Sequence, residues 1–287
     1  MDIPANTLIP PKSPNLPIGP REYDQRYQDQ LLNILRLYFN TLDNTFGSLL
    51  GVGGGGGKFI RFPYGAFQDT TVQTAPADTA QVMRFDTSDL ANDVSVVPRT
   101  VAFTASRAAA VLTVSAVSSG TIYLVMTISG TGVPSGTLIT AFGTGTGTTG
   151  TYTVSTSGTI ASEAMTGSVA SKITVAQAGI YNLQWSGQFI NTAAAIHEVS
   201  VWLRLNGANV PGSTGRVSIN AKHGAFDGGG ISAWNYFVQL QASEYVELWW
   251  STPDVHAYIT SYGAGASPTR PITSSVIATL TFVSALP

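Results

Sequence analysis

Apolar residues near the N-terminus recur with the period of a helix, in a stretch from Arg21 to Leu50. They return alternately every four and every three residues, and the one weak position between them is Thr45. This spacing predicts a short coiled-coil helix of about three heptads, because a seven-residue repeat keeps one apolar stripe facing a partner helix. The stripe, which we term the seam, consists of Leu31, Leu35, Tyr38, Leu42 and Leu49.

The segments on either side of this stretch cannot be helical. Residues 1–20 form an arm with six prolines, which fix φ, remove hydrogen-bond donors and favour extended backbone. Residues 51–57 form a linker with five consecutive glycines. Such a linker separates two bodies, so we favour self-association of the helix over packing on the rest of the chain. The arm is expected either to be a disordered tail or to become ordered on a neighbouring protein.

From Lys58 onwards the apolar period changes to two, and glycine-containing turns separate short runs with no helix between them. Asn206-Gly207 is the strongest hairpin signal among these turns. The pattern indicates an antiparallel β sandwich of the jelly-roll kind. The expected strands are Lys58–Tyr64, Gln81–Phe85, Val94–Val97, Lys172–Val175, Ile180–Phe189, Val199–Leu205, Val217–Ala221, Trp234–Leu240, Tyr245–Trp250, Ala257–Tyr262 and Val276–Val283.

The composition changes abruptly within residues 101–167, which are dominated by Thr, Ser, Gly, Ala and Val and carry charge only at Arg107 and Glu163. We expect this block to be a small all-β module inserted in one loop of the head, which then comprises residues 58–100 and 168–287. The strands on its two sides, Val94–Val97 and Lys172–Val175, are expected to be neighbours. The module's own strands are expected at Val111–Val117, Tyr123–Ser129, Thr137–Phe142 and Gly150–Ser155.

Composition excludes several classes of site. The net charge is −2 without a dense basic cluster, which argues against nucleic-acid binding, and the absence of cysteine excludes disulfides and thiolate metal sites. We expect no cofactor, no membrane insertion and no ordinary secretory leader. The three histidines share no metal-ligand spacing. His197 with Glu198, and Asp254 with His256, could converge, but local hydrogen bonding is the favoured interpretation.

Aromatic residues supply the candidate interface of the head. Trp249 and Trp250 are consecutive, so in a strand one side chain points inward and the other outward. An outward tryptophan commonly marks an interface, and Tyr258 and Tyr262 follow in the next strand. We favour packing of both tryptophans in the core and a trimer seam, with a carbohydrate or receptor platform as the alternative.

Several motifs in the head resemble the C1q/TNF-type jelly roll, whose domains are typically homotrimers. The departures are Ser243-Glu244, where that family usually has Gly-Asp, and a last strand without its internal glycine. The resemblance implies a trimeric jelly-roll head. The motifs that carry it are Gly179-Ile180-Tyr181, Val201–Asn206, Tyr245-Val246-Glu247-Leu248 and Thr279–Leu286.

Other segments resemble modules of tailed-bacteriophage structural proteins. They are Glu22–Asp24 with Leu35–Asn40 in the helical stretch, and Ile128–Val133, Ala141–Gly145 and Tyr152–Ser155 in the inserted block. We therefore expect a non-enzymatic virion protein, a homotrimeric short tail fibre or capsid decoration on the particle exterior. Its residues 1–50 would bind other virion proteins, and its head would attach to a host surface glycan or receptor. The alternative is an extracellular C1q-like carbohydrate-binding or ligand protein.

Overall fold

A computed structural model describes residues 12–50 and 62–286, and the chain divides into two compact units, Met1–Phe62 and Pro63–Pro287. Four predicted features lie partly or wholly outside the described residues: the first eleven residues of the arm, the glycine linker, the Leu49 side chain and most of the strand expected at Lys58–Tyr64. Within the described ranges, no helix is long and apolar enough to span a membrane.

The first unit contains the predicted helix, α1, at Gln25–Leu50. Asp24 caps its first turn, because its Oδ1 accepts the Arg26 N–H at 2.9 Å and its carbonyl oxygen accepts the Gln28 N–H at 3.2 Å. The seam residues Leu31, Leu35, Tyr38 and Leu42 are half-buried along one face of α1. The helix is confirmed, and its association with other copies stays a prediction.

The described part of the second unit is built from β-strands, as predicted. They are β1 (Tyr64–Asp69), β2 (Gln81–Val82), β3 (Thr87–Asn92), β4 (Val94–Ser119), β5 (Thr127–Ser129), β6 (Ile139–Phe142), β7 (Gly150–Val175), β8 (Gly179–Asn191), β9 (His197–Leu205), β10 (Ala208–Asn209), β11 (Gly215–Ile219), β12 (Gly228–Leu240), β13 (Tyr245–Ser251), β14 (Ala257–Ile259), β15 (Gly265–Ala266), β16 (Thr269–Arg270) and β17 (Val276–Ser284).

These strands form two antiparallel sheets and one small hairpin. Sheet A has six strands in the order β12-β8-β17-β1-β3, with β14 also paired to β8. Sheet B has nine strands in the order β10-β9-β13-β7-β4, with β11 paired to β9, β2 to β13, and β5 and β6 to β7. From β7 to β9 and again from β12 to β14 the chain alternates between the sheets, which is typical of a jelly-roll sandwich. The predicted antiparallel sandwich is confirmed.

The first hydrophobic core lies between the two sheets and follows from the period of two along each strand. On β8 the alternate residues Tyr181, Leu183 and Trp185 are buried. They share this core with the inward residues of sheet B, among them Leu248 and Trp250 of β13. Alternation of this kind places the remaining residues of β8 on the outer face of sheet A.

The hairpin between β9 and β10 has the turn predicted from Asn206-Gly207. Both residues have positive φ, 49° for Asn206 and 87° for Gly207, which a type I′ turn requires. The flanking residues Leu205 and Ala208 pair directly. The sequence signal therefore predicted the position of this hairpin, and the structure adds its register.

Residues 101–167 are not hung from a loop, so that expectation is wrong. Both β4 and β7 are 26 residues long and pass from the sandwich into this block without a break. They pair from Val94 with Val175 in the sandwich to Val114 with Gly150 in the block. The expected pairing of the two flanking strands is confirmed, because Val97 pairs with Lys172. Composition changes at residue 101, but the backbone ladder continues.

The block, called the module below, has a second hydrophobic core enclosed by its own strands. Ala109 has a φ of 52°, and β4 folds back there, so that the Ser118 hydroxyl donates to the Ala102 carbonyl oxygen at 3.0 Å. Strands β5 and β6 meet at the opposite side, where the Ile139 N–H donates to the Met126 carbonyl oxygen at 2.9 Å. The strands close a ring around a core that includes Phe103, Leu112, Ile128, Ile139 and Tyr152, together with Val82 and Trp249 from the sandwich.

Candidate functional site

Both tryptophans of the predicted head interface are buried within the chain itself. Trp249 is 3% exposed and Trp250 is fully buried. They do point in opposite directions, because Trp250 belongs to the core between the sheets and Trp249 to the core of the module. The expectation that one of them is available to a partner is wrong for a physical reason: the module covers the outer face of sheet B at this point.

A buried ion pair lies where the module meets sheet B. Glu247 of β13 is fully buried, and its two oxygens accept hydrogen bonds from Nε and Nη2 of Arg99, each at 2.5 Å. The Ser171 hydroxyl also donates to this carboxylate at 2.8 Å. Burial alone would lower the pKa of Arg99, but the hydrogen bonds and negative charge of Glu247 outweigh it and raise the pKa above its ordinary value.

Trp249 is held by cations and by an aromatic ring from the module. The guanidinium carbon of Arg204 lies 4.4 Å from a ring centroid of Trp249, and that of Arg99 lies 5.3 Å from it. Tyr123 of the module approaches Trp249 edge-on at a centroid distance of 5.4 Å. These contacts are those of a cation–π cluster that fixes the module on the sandwich. We call Arg99, Tyr123, Arg204, Glu247 and Trp249 the docking cluster.

The sandwich has a near end, where the chain enters at Pro63, and a far end formed by loops. At the near end the Phe282 N–H donates to the Pro63 carbonyl oxygen at 2.9 Å. At the far end the loops 192–196, 220–227 and 252–256 are joined by hydrogen bonds. The Thr192 N–H donates to the His256 carbonyl oxygen at 3.0 Å, and the Lys222 N–H donates to the Ala193 carbonyl oxygen at 2.8 Å. The three loops therefore form one surface.

Asp254 connects two of the three histidines at this far end. His256 Nδ1 lies 2.6 Å from Oδ1 of Asp254, and His197 Nε2 lies 3.5 Å from Oδ2 of the same carboxylate. His197 therefore does lie close to Asp254 and His256, as the sequence suggested that it could. Each histidine faces a different carboxylate oxygen, and no group of three or more His, Cys, Asp or Glu residues in the described ranges is placed to hold a metal.

This arrangement predicts an acid-sensitive loop. The backbone N–H and the imidazole of His256 both stabilise the Asp254 carboxylate and lower its pKa below the ordinary value of 3.8. A depressed pKa gives a stabilising contribution that is present above the unfolded-state value and is lost as the pH falls through the folded-state value. We expect the His256 amide to lose protection from hydrogen exchange only below about pH 4.

Asp254→Asn should abolish that pH dependence, whereas Asp227→Asn, which removes a different carboxylate at the same end, should leave it unchanged. Hydrogen exchange followed by NMR as a function of pH makes the comparison. Identical profiles for the native protein and Asp254→Asn would contradict the assignment.

The far end also exposes apolar side chains. Phe226 is 79% exposed, Ile196 63% and Val255 54%. Lys222 and Asp227, which flank the turn that carries Phe226, form an ion pair at 3.3 Å.

Of the predicted interface tyrosines, Tyr262 is 41% exposed and Tyr258 is half-buried. Their role in binding stays a prediction.

The outer face of sheet A is a surface that sequence reasoning missed. Strands β8, β12 and β17 contain no Asp, Glu, Lys, Arg or His. Ile231 and Phe237 of β12 and Ile277 of β17 are exposed on this face. A shallow depression in the face is lined by residues that include Gln184, Ser186, Ala233, Asn235, Ile277 and Thr279. We call the outer face of β8, β12 and β17 the uncharged face; Asp89 lies beyond it, on the edge strand β3. The signal of this face in the sequence was the lack of charge in three strands of one sheet.

Charge is instead concentrated on the other sheet. The outer side of sheet B carries the docking cluster, the exposed Glu198–Arg216 ion pair, and Lys172, whose amino group lies 4.9 Å from the ring centroid of Tyr245. The outer side of sheet B is therefore charged, in contrast to the uncharged face.

No family model matches the sequence, and no curated protein matches it. The fold is thus known from the structure, and the likeness to phage proteins and to C1q/TNF-type heads stays a prediction from the sequence.

Proposed function

We propose that this protein is a non-enzymatic structural protein of a tailed-phage particle and works as a homotrimer. The arm and α1 attach it to other virion proteins, and the sandwich is presented outward for attachment to a host surface glycan or receptor. The observation that carries the proposal is the uncharged face of sheet A, because a surface of that kind is suited to permanent burial against other copies.

Burial of the uncharged face requires no charged group to lose its hydration. Removing a charge from water is costly unless the charge is paired, and interface cores are accordingly depleted of charged residues. The exposed side chains of Ile231, Phe237 and Ile277 would gain free energy by being removed from water. Amide and hydroxyl groups of Gln184, Asn235 and Thr279 can hydrogen-bond across such an interface.

The helix supports the same stoichiometry independently. Its seam residues lie along one face, and an isolated helix of this length is marginally stable in water unless that face is packed. The resemblance of the head to typically homotrimeric C1q/TNF domains agrees with three copies. A trimer would place three helices and three heads around one axis, so that each head adds to the avidity of attachment.

Assignment to a phage particle rests on the resemblance of Glu22–Asn40 and of the module to tailed-phage structural proteins. A decoration or short fibre on the particle exterior fits a chain with an anchoring segment at one end and a β head at the other. Immunogold labelling of purified particles with an antibody against the head tests this location. Labelling of host cells and not of particles would contradict it.

The trimer is tested by light scattering of the purified chain at micromolar concentration, which should give the mass of three subunits. Ala233→Glu places a carboxylate in the uncharged face and should shift the mass towards the monomer, because the interface would have to bury an unpaired charge. Ala208→Glu is a matched control at an exposed position of sheet B and should remain trimeric. A stable monomer of the native chain would contradict the proposal.

A further inference from the structure

A second apolar stripe runs along α1 beside the seam. Leu32, Phe39 and Phe46 are spaced seven residues apart and are 61%, 57% and 53% exposed. The opposite side of the seam has a stripe with the same spacing, formed by Tyr27, Ile34 and Thr41. Tyr27 and Ile34 are half-buried, and Thr41 is exposed. In a parallel three-helix coiled coil, these two flanking stripes from adjacent helices line the groove between them.

The chain bends at residues 21–22, just before α1 begins. Gly19 lies beside the Tyr27 side chain, because a β-carbon at this glycine would be 3.6 Å from the Tyr27 hydroxyl. In this segment Pro14 and Pro17 are half-buried. Leu16 and Ile18 are 52% and 96% exposed. Gly19 therefore lies on the Tyr27 side of its own helix, and residues 12–20 leave the apolar side chains of Leu16 and Ile18 for another surface.

We propose that residues 12–20 of each arm lie in the groove between two helices of the trimer, which leaves residues 1–11 for attachment to other virion proteins. In that position Leu16 and Ile18 pack on the Leu32–Phe39–Phe46 stripe of the neighbouring copy. This inference rests on the proposed trimer and gives the arm a binding site within it. Proline-rich extended segments bind aromatic-lined grooves because little conformational entropy is lost on docking. A trimer has three grooves and three arms, so each groove can hold one arm.

The expected register follows from the lengths of the two elements. In the proposed arrangement Gly19 stays at the level of the Tyr27 hydroxyl, and residues 12–18 run antiparallel to the helix. Three residues of extended proline-rich chain cover about 9 Å, which corresponds to about six residues of α-helix. Leu16 is therefore placed near the level of Leu32 of the neighbouring helix.

A disulfide cross-link tests this contact, since the chain has no cysteine of its own. The full-length double variant Leu16→Cys/Leu32→Cys should form an intersubunit disulfide on mild oxidation, because the two β-carbons would come within bonding range. A non-reducing denaturing gel should then show most of the protein as a covalent trimer. Leu16→Cys/Leu37→Cys is the matched control and should stay at monomer mass, because Leu37, although 56% exposed, lies away from the seam on the outer side of the helix.

The outcomes separate failure of the inference from failure of the trimer. A trimeric mass in light scattering without cross-linking above the control overturns the docked arm and leaves the trimer intact. A monomeric mass overturns the trimer itself. A disulfide within one chain, seen as a shifted monomer band, overturns the intersubunit arrangement.

Deletion of residues 1–20 gives a second readout that needs no cysteine. A docked arm predicts a lower thermal midpoint for dissociation of the trimer, whereas an arm that becomes ordered only on another virion protein predicts an unchanged midpoint. Equal midpoints for the full-length and truncated trimers would overturn the docked arm.

Discussion

Glu247→Ala should lower the free energy of unfolding of the second unit by about 3–5 kcal/mol, because it leaves the half-buried Arg99 guanidinium without its partner. Glu247 is fully buried and both of its oxygens accept hydrogen bonds from Arg99. The Ser171 hydroxyl would lose its acceptor as well. A loss of this size is a large fraction of the 5–15 kcal/mol that stabilises typical proteins. Urea denaturation followed by far-ultraviolet circular dichroism measures it.

Glu198→Ala is the matched control, since Glu198 forms an exposed ion pair with Arg216 on the same sheet. Exposed pairs contribute about 0–1 kcal/mol, so this variant should unfold at nearly the native denaturant concentration. The double variant Arg99→Met/Glu247→Met should recover most of the loss, because it leaves no unpaired charge. Equal losses for Glu247→Ala and Glu198→Ala would contradict a structural role for the docking cluster.

Replacing residues 101–167 with a short Gly-Ser linker should leave the sandwich folded but less stable by about 2–4 kcal/mol, as expected for exposing one or two large apolar side chains. The change uncovers Trp249 and Val82, which are 3% and 1% exposed in the intact chain. It also removes the Leu124 N–H that donates to Gln81 Oε1 at 3.1 Å. The first core contains no residue of the replaced segment, so cooperative unfolding should survive.

Thermal unfolding and binding of a hydrophobic dye test this prediction. The shortened chain should bind more dye than the native chain, and adding Trp249→Thr should reduce that binding because the uncovered ring is gone. Two results would contradict the prediction. Absence of soluble protein would show that the module is needed for folding, and unchanged stability would show that its contact with sheet B contributes nothing.

The sequence predicted those parts of the fold whose signals are local. The heptad spacing predicted α1, and alternation along Ile180–Phe189 predicted β8 and its buried face. Asn206-Gly207 predicted a hairpin because few other residue pairs adopt positive φ at both central positions of a two-residue turn. The flanking residues of the module also pair as expected.

Features that depend on contacts between distant segments could not be predicted from local patterns in the sequence. Nothing in Trp249-Trp250 indicates that both faces of β13 are covered, since the cover over Trp249 comes from Tyr123, more than one hundred residues earlier in the chain. The change in composition at residue 101 suggested a domain boundary. The strands continue through it because hydrogen-bond ladders involve the backbone and depend little on whether a side chain is charged. The uncharged face emerges only when strands distant in sequence are placed side by side.

The unbroken run of β4 and β7 has a mechanical consequence. A pull on the module along these strands would reach the sandwich through both backbones, and there it would load the hydrogen bonds that pair β7 with β13 at Thr174–Tyr245 and Ile173–Val246. Force along paired strands loads their hydrogen bonds in shear, so that neighbouring bonds must break together, whereas force across a hairpin opens them one at a time. If flexible loops joined the two parts at residues 100 and 168, the module could move or unfold under load before the sandwich was affected. In this protein, the module and the sandwich should resist a tensile load as one body.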